Sequence, residues 1–235
     1  LCSACRIRRL GVCSGADEKG LDQLELRKTY RRYAPGERMA SAGLDLPQIG
    51  TVLSGTATLS RTQDRGTRQI VGLLQKGDIL GRPWRHTTPF DVEALTPVEV
   101  CAFRTPVFED LLDQMPGLRT RMIEMIQDDL DAARTMMTIL GRKTAREKIV
   151  SFLVHLALRQ NSTPERGACE VDMMLSREQI ADILSLTFET VSRQIMDLER
   201  AGLIVPRTRR IFCIPELQAL IQLSGDDHDG ALIDC

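Results

Sequence analysis

Ser176-Arg177-Glu178-Gln179-Ile180-Ala181-Asp182-Ile183-Leu184-Ser185-Leu186-Thr187-Phe188-Glu189-Thr190-Val191-Ser192-Arg193-Gln194-Ile195-Met196-Asp197-Leu198-Glu199-Arg200 is the stretch on which the fold turns. Ser176 and Gln179 have the spacing of a capping box, which opens a helix. Ile180, Ile183 and Leu184 fall on one face of that helix, and small Ala181 lets a second helix approach. Ser185-Leu186 makes a short turn, where a negative φ is expected at Ser185. Thr187 caps the next helix, which buries Val191, Ile195 and Leu198. Its other face carries Glu189, Thr190, Ser192, Arg193 and Gln194. Two helices joined by such a turn form a helix-turn-helix, whose second helix lies in a DNA major groove. Arg193 suits a guanine edge, Glu189 a cytosine amine, and Ser192 a base or a phosphate. A β-hairpin follows, from Leu203 to Pro206 and from Ile211 to Ile214. Its tip, Arg207-Thr208-Arg209-Arg210, reads as a wing whose arginines Arg207, Arg209 and Arg210 meet phosphates. The plainer alternative is a helical hairpin with a solvated charged turn.

Upstream the pattern changes. Between residues 30 and 105, short β-prone runs alternate with Gly turns: Ile49 to Leu53, Ala57 to Arg61, Gln69 to Leu74, Asp91 to Leu95 and Val98 to Phe103. Many short strands at this spacing predict a sandwich or barrel. A helix is expected over 18–30 and another over 106–114. From 117 to 140, Met122, Ile126, Leu130, Ala133, Met137 and Leu140 recur every three or four residues, which predicts one long helix ended by Gly141. The stripe is either a face packed on its own domain or a coiled-coil dimer seam. Helical pattern resumes from Lys143 to Arg159, a polar loop covers 160–169, and Glu170 to Met174 read as a strand.

Composition sets outer limits. The 235 residues are 43% hydrophobic and 27% charged, with a net charge of −1, as in an ordinary folded protein. Charge is uneven, however. Residues 142–213 hold 12 Lys/Arg against 9 Asp/Glu, while residues 214–235 hold 5 acids and no Lys or Arg. The acidic end reads as a solvated tail. No apolar run is long enough to span a membrane, and no apolar signal core opens the chain. There is no Gly-rich phosphate loop, paired carboxylate or nucleophile–histidine pattern, so no enzyme is expected. His155 reads as a core-edge histidine.

Seven cysteines in a chain of this size point to a metal site or free thiols rather than a disulfide framework. Cys2-x2-Cys5-x7-Cys13 brings three thiolates within reach of one centre. Soft thiolates select zinc, copper(I) or iron–sulfur clusters. A four-thiolate site needs one more ligand from Cys101, Cys169, Cys213 or Cys235. The place of Cys101, at the end of the β-rich region and just before the long helix, favours it. A structural zinc site, a haem regulator and a thiol-based redox protein with disulfides among Cys2, Cys5 and Cys13 are the alternatives.

These residues together resemble the CRP/FNR transcription regulators, and among them the FNR-type oxygen sensors. The resemblance rests on the cysteine cluster with Cys101, the β-roll, Met115-Pro116 leading into the long helix, and Thr187-Phe188-Glu189-Thr190-Val191-Ser192-Arg193, which carries the family's E-x-x-S-R pattern at Glu189, Ser192 and Arg193. It implies an α+β fold: a cysteine segment (1–16), a jelly-roll-like β-roll sensor domain (17–116), a dimerisation helix (117–141), a winged helix-turn-helix domain (142–219) and an acidic tail (220–235). It also implies a [4Fe–4S] cluster on Cys2, Cys5, Cys13 and Cys101, whose loss to oxygen weakens dimerisation and DNA binding. Further implications are a cytoplasmic homodimer on an inverted repeat of the TTGAT…ATCAA kind and an RNA polymerase contact near Gly77 to Arg85. The cyclic-nucleotide branch fits poorly. Arg82 follows Gly81 where that branch has glutamate, and Thr88-Pro89-Phe90 stands where its Arg-Ser pair would be, so cAMP is not expected.

Overall fold

The computed structural model describes residues 1–64, 66–85, 87–160 and 168–225. The chain divides into two compact units, Leu1–Asp129 and Leu130–Cys235. The first is built on eight strands: β1 (Thr29–Tyr33), β2 (Arg38–Ala40), β3 (Gln48–Ser54), β4 (Ala57–Thr62), β5 (Arg68–Leu74), β6 (Ile79–Leu80), β7 (Asp91–Ala94) and β8 (Val98–Arg104). They form two antiparallel four-stranded sheets, in the orders β1-β8-β3-β6 and β2-β7-β4-β5. This is the expected β-roll.

Strand β8 shows how the roll is organised. Side chains alternate faces along a strand. Val98, Val100 and Ala102 point into one apolar cluster, with Val52, Ala57, Val92 and Ala94. Cys101 and Phe103 point the other way, into a second cluster with Ile49. That outer face is covered by helix α1 (Glu18–Arg27) through Leu21 and Leu24, by α2 (Thr105–Gln114) through Phe108, Leu111 and Leu112, and by the start of α3 (Pro116–Arg142) through Leu118 and Met122.

Local chemistry sets the ends of these helices. Asp17 Oδ1 accepts the Gly20 N–H at 2.7 Å and opens α1. The helix expected over 18–30 stops at Arg27, because Thr29, Tyr30 and Tyr33 are strand formers that pair with β8. Pro116 holds Met115 in an extended conformation (φ −120°, ψ 93°), which separates α2 from α3. Gly141, the expected end of the long helix, lies inside it, one residue before its end.

The second unit contains the rest of α3 with α4 (Ala145–Gln160), β9 (Cys169–Asp172), α5 (Arg177–Leu184), α6 (Phe188–Arg200), β10 (Val205–Pro206), β11 (Ile211–Ile214) and α7 (Leu217–Leu223). Its three strands pair in the order β10-β11-β9. Its core is formed by Ile149, Leu153 and Leu156 of α4, Ile180 and Leu184 of α5, and Val191, Ile195 and Leu198 of α6. The acidic tail expected from residue 220 begins later, since Leu220 is fully buried within α7. Residues 226–235, including Cys235, lie outside the described residues, as does most of the loop expected over 160–169.

His155 sits on α4 at the edge of this core. Burial, with help from the Arg159 guanidinium, holds its imidazolium pKa at about 4. In the unfolded chain it titrates near 6.5. The folded state therefore resists protonation, and stability present above about pH 6.5 is lost as pH falls through 4, by up to ~3 kcal/mol. His155→Leu is expected to flatten the fall in melting temperature between pH 7 and pH 4, as measured by thermal denaturation of the full chain. An unchanged slope would contradict this.

Candidate nucleic-acid interface and cysteine centre

The two-helix element forms as its sequence dictates. Ser176 Oγ accepts the Gln179 N–H at 3.2 Å, and Gln179 Oε1 accepts the Ser176 N–H at 2.8 Å, which completes the capping box. At the turn, Ser185 takes the left-handed conformation (φ 52°, ψ 50°), not the negative φ expected. The left-handed residue lets its N–H close back on Ala181 O, and a serine there carries strain that glycine would not. Thr187 Oγ1 then accepts the Thr190 N–H at 3.2 Å and caps α6.

Helix α6 has two distinct faces. Val191, Ile195 and Leu198 are fully buried, while Glu189 and Arg193, one turn apart, are exposed. Thr187 is exposed and Thr190 half-buried. Ser192 differs from the expectation: its Oγ is buried and has no hydrogen-bond partner among the described residues. An orphaned hydroxyl of this kind costs ~1–3 kcal/mol. Ser192 lies three residues from Glu189, on the adjoining strip of helix surface.

The wing is also formed. Strands β10 and β11 pair antiparallel, Val205 with Cys213 and Pro206 with Phe212. Thr208 Oγ1 accepts the N–H groups of Arg210 (3.2 Å) and Ile211 (3.0 Å), which folds the tip on itself. With the tip backbone bonded internally, the side chains of Arg207, Arg209 and Arg210 are left exposed.

The cysteine segment runs across the outer face of the roll. Leu1 to Gly15 forms short 3-10 turns, Cys2–Ala4 and Val12–Gly15. At Gly11 the segment passes so close to β3 that a Cβ would meet Thr51 Cγ2 at 2.9 Å, and Thr51 is the register partner of Cys101. Cys2 is buried in the outer apolar cluster, and Cys13 and Cys101 pack against it. The four thiols share one electrostatic neighbourhood. Burial, followed by the charges of Cys2 and Cys5, pushes the Cys13 thiol up to about 12. Burial, followed by Cys13, Cys2 and Cys5, does the same to Cys101. Cys2 is raised by burial and by Glu25. Among the described residues, no three Cys, His, Asp or Glu side chains are drawn close enough to hold a single metal ion. Cys169 and Cys213 are buried in the second unit, on the neighbouring strands β9 and β11.

Two further features were not read from the sequence. The first is a backbone contact between Gly15 and Gly117, where a Cβ on either residue would run into the other's carbonyl oxygen. Here the cysteine segment rests on the first turn of α3. The second is Ile123. Met122, expected in the stripe, is 5% exposed and packs beside Leu118, one turn away, in the apolar cluster on the outer face of the roll. The exposed stripe is Ile123, Ile126, Leu130, Ala133 and Met137. Its spacing of three, four, three and four is that of a coiled-coil seam, and was present in the sequence.

Known proteins resemble this chain along most of its length. The cyclic nucleotide-binding domain profile matches residues 30–115, and the Crp-like helix-turn-helix profile matches residues 147–223. The chain is 42% identical over 234 residues to the transcriptional activator protein FnrL of Cereibacter sphaeroides, covering 98% of this chain and 94% of FnrL. The chain belongs to the CRP/FNR family of transcription regulators. It is 28% identical to the fumarate and nitrate reduction regulatory protein of Escherichia coli, over 98% of this chain and 92% of that one. The structure of FixK2 from Bradyrhizobium japonicum superposes with a TM-score of 0.75 at 25% identity, covering 85% of this chain and 98% of FixK2. Membership of CRP/FNR makes the chain a DNA-binding regulator, not an enzyme. No described helix is long and apolar enough to cross a membrane.

In a helix-turn-helix protein, side chains that reach base edges carry sequence discrimination, whereas those that reach phosphates carry affinity for any duplex. Arg193→Ala is expected to weaken binding to an inverted-repeat operator at least tenfold, and to random DNA less than threefold, in fluorescence anisotropy at fixed salt. Equal losses on both would show that Arg193 touches phosphate only.

Proposed function

We propose that this chain is an oxygen-responsive transcription regulator in which a [4Fe–4S] cluster on Cys2, Cys5, Cys13 and Cys101 controls homodimerisation, and with it binding to an inverted repeat of the TTGAT…ATCAA kind. One observation supports the reading: Cys2, Cys13 and Cys101 pack in one apolar cluster on the outer face of the roll, with Cys5 within electrostatic reach of them and the start of α3 in the same cluster. The donor set fits the group. It is all thiol, and Cys13 and Cys101 are largely withdrawn from water, which is the chemistry that an iron–sulfur cluster would take up. When bound, the cluster supplies a redox-sensitive cross-link among the four ligands.

The chain's own residues do the rest. The ligands must lose their protons on binding, and burial that raises Cys13 and Cys101 makes the unliganded thiols prefer to keep them. A leading segment tied to Cys101 is held down at Gly15 against Gly117, and so fixes the first turn of α3. The seam then pairs Ile123, Ile126, Leu130, Ala133 and Met137 with their copies across a two-fold axis. Of the acids beside it, Asp131 is bonded to Arg134 at 3.0 Å, which lowers the repulsion expected from Asp128, Asp129 and Asp131 together. A pairing free energy changed by only 1.4 kcal/mol shifts the equilibrium about tenfold. Pairing places two α6 helices about 34 Å apart, one turn of DNA. On docking, Thr187, Glu189, Thr190 and Arg193 face the groove, Ser192 joins them once its buried hydroxyl rotates outward, and Arg207, Arg209 and Arg210 meet phosphates.

The other parts of the reading follow the same geometry. cAMP is not the effector: exposed Arg82 follows Gly81, and the Thr88 hydroxyl is spent in its own turn on Phe90, donating to its carbonyl (3.2 Å) and accepting its N–H (3.3 Å). RNA polymerase meets the loop from Gly77 to Arg85. There Trp84 is 54% exposed at φ +57°, a strained conformation for a tryptophan, held by its N–H to Glu109. The site of action is the cytoplasm.

Two variants test the chain of events. Cys101→Ala, purified anaerobically, is expected to lose iron and operator protection while keeping its melting temperature within a few degrees of wild type. Operator protection by this variant would refute the ligand assignment. Gly117→Ala is expected to retain about four iron and four sulfide per chain but to dimerise at least tenfold more weakly in sedimentation equilibrium. Undiminished dimerisation would remove the Gly15–Gly117 contact from the mechanism.

A further inference from the structure

One lysine is lodged among the cysteines. Lys28 follows the last turn of α1, and its Nζ donates to Cys2 Sγ at 3.9 Å and to Glu25 Oε2 at 2.7 Å. The same ammonium stands 5.1 Å from the centre of the Tyr30 ring, and Tyr30 is the register partner of Cys101. Only 9% of the Lys28 side chain is exposed. Glu25 in turn accepts the backbone N–H of Cys2. Lysines ordinarily keep their ammonium in water on a mobile stem. Confining one here costs side-chain entropy and hydration, which a carboxylate, a sulfur and an aromatic face offset. Three tethers therefore fix a positive charge between the first cysteine and the strand pair that carries the fourth.

We propose that Lys28 is a positioning residue of the cysteine centre: its charge, aimed at Cys2, offsets the negative charge of the gathered thiolates and sets the reduction potential of the group they hold, with Glu25 as its counterweight. The inference rests on the cluster reading above and deepens it. Four thiolates on a [4Fe–4S]2+ core make a dianion. One electron from a reductant such as dithionite, which is oxidised in exchange, makes it a trianion. A fixed cation favours the trianion, and its effect resists added salt because the side chain is nearly enclosed. Removing the cation lowers the potential, while removing Glu25 leaves Lys28 unopposed and raises it. A merely structural role for Lys28 would not produce opposite signs at the two positions.

The test is anaerobic potentiometric titration of the full-length, iron-loaded protein, followed by its visible absorbance, with iron, sulfide and melting temperature measured on the same samples. Lys28→Met is expected to lower the midpoint by at least about 59 mV, a tenfold change in the one-electron equilibrium. Lys28→Arg is expected to restore it, and Glu25→Gln to raise it. Should Lys28→Met fail to hold iron, the comparison of Lys28→Arg and Glu25→Gln with wild type decides, and no rise in Glu25→Gln overturns the inference. A Lys28→Met midpoint equal to wild type at full iron content also overturns it and leaves the cluster reading standing. Wild-type protein that takes up no iron and sulfide overturns the cluster reading itself, and this inference with it.

Discussion

The two faces of strand β8 are the constraint on which the rest depends. Alternation sends Val98, Val100 and Ala102 into the roll and turns Cys101 and Phe103 outward. A register slip of one residue would bury Cys101 between the sheets, away from the leading segment. Pairing on both sides prevents the slip, with Thr29–Tyr33 along one edge and Gln48–Ser54 along the other. The position of one thiol thus follows from the hydrophobic pattern of an entire sheet.

From that face the consequences pass along covalent and packed neighbours. The leading segment crosses Thr51 at Gly11 and meets α3 at Gly15. Helix α3 buries Leu118 and Met122 on one side and leaves Ile123 and Ile126 bare on the other. A change in how the segment is held therefore reaches the helix that carries the apolar stripe. In the second unit, α4 supplies the core on which α5 and α6 pack, and a serine forced into the left-handed region sets the turn between them. On α6, Val191, Ile195 and Leu198 hold the helix in the core, while Glu189 and Arg193 are exposed on the opposite side.

Much of this was legible in the chain itself. Ser176 and Gln179 announced α5, and the alternation from Val98 to Phe103 announced β8. The failures have physical causes. Strands β1, β2 and β6 were missed because they are short, or in β1 almost wholly exposed, so no apolar alternation marks them. Met122 was placed on the seam because it continues the same helical period as Ile126. Only the packing of Leu118 and Met122 against α1 and α2 shows that Ile123 takes that place. Ser185 was expected at negative φ because propensity disfavours the alternative, and the tertiary demand of the turn prevailed. The pairing of Gly15 with Gly117, and of Lys28 with Cys2, joins residues far apart in the chain, and neither leaves a local signal.

The central claim is that the group held by Cys2, Cys5, Cys13 and Cys101 governs subunit pairing. Sedimentation velocity on anaerobic protein before and after a brief exposure to air, with iron and acid-labile sulfide counted in each sample, tests it most directly. The account predicts dimers carrying about four iron and four sulfide per chain before exposure, and monomers with depleted sulfide after it. A protein that dimerises to the same extent with and without iron and sulfide would contradict it.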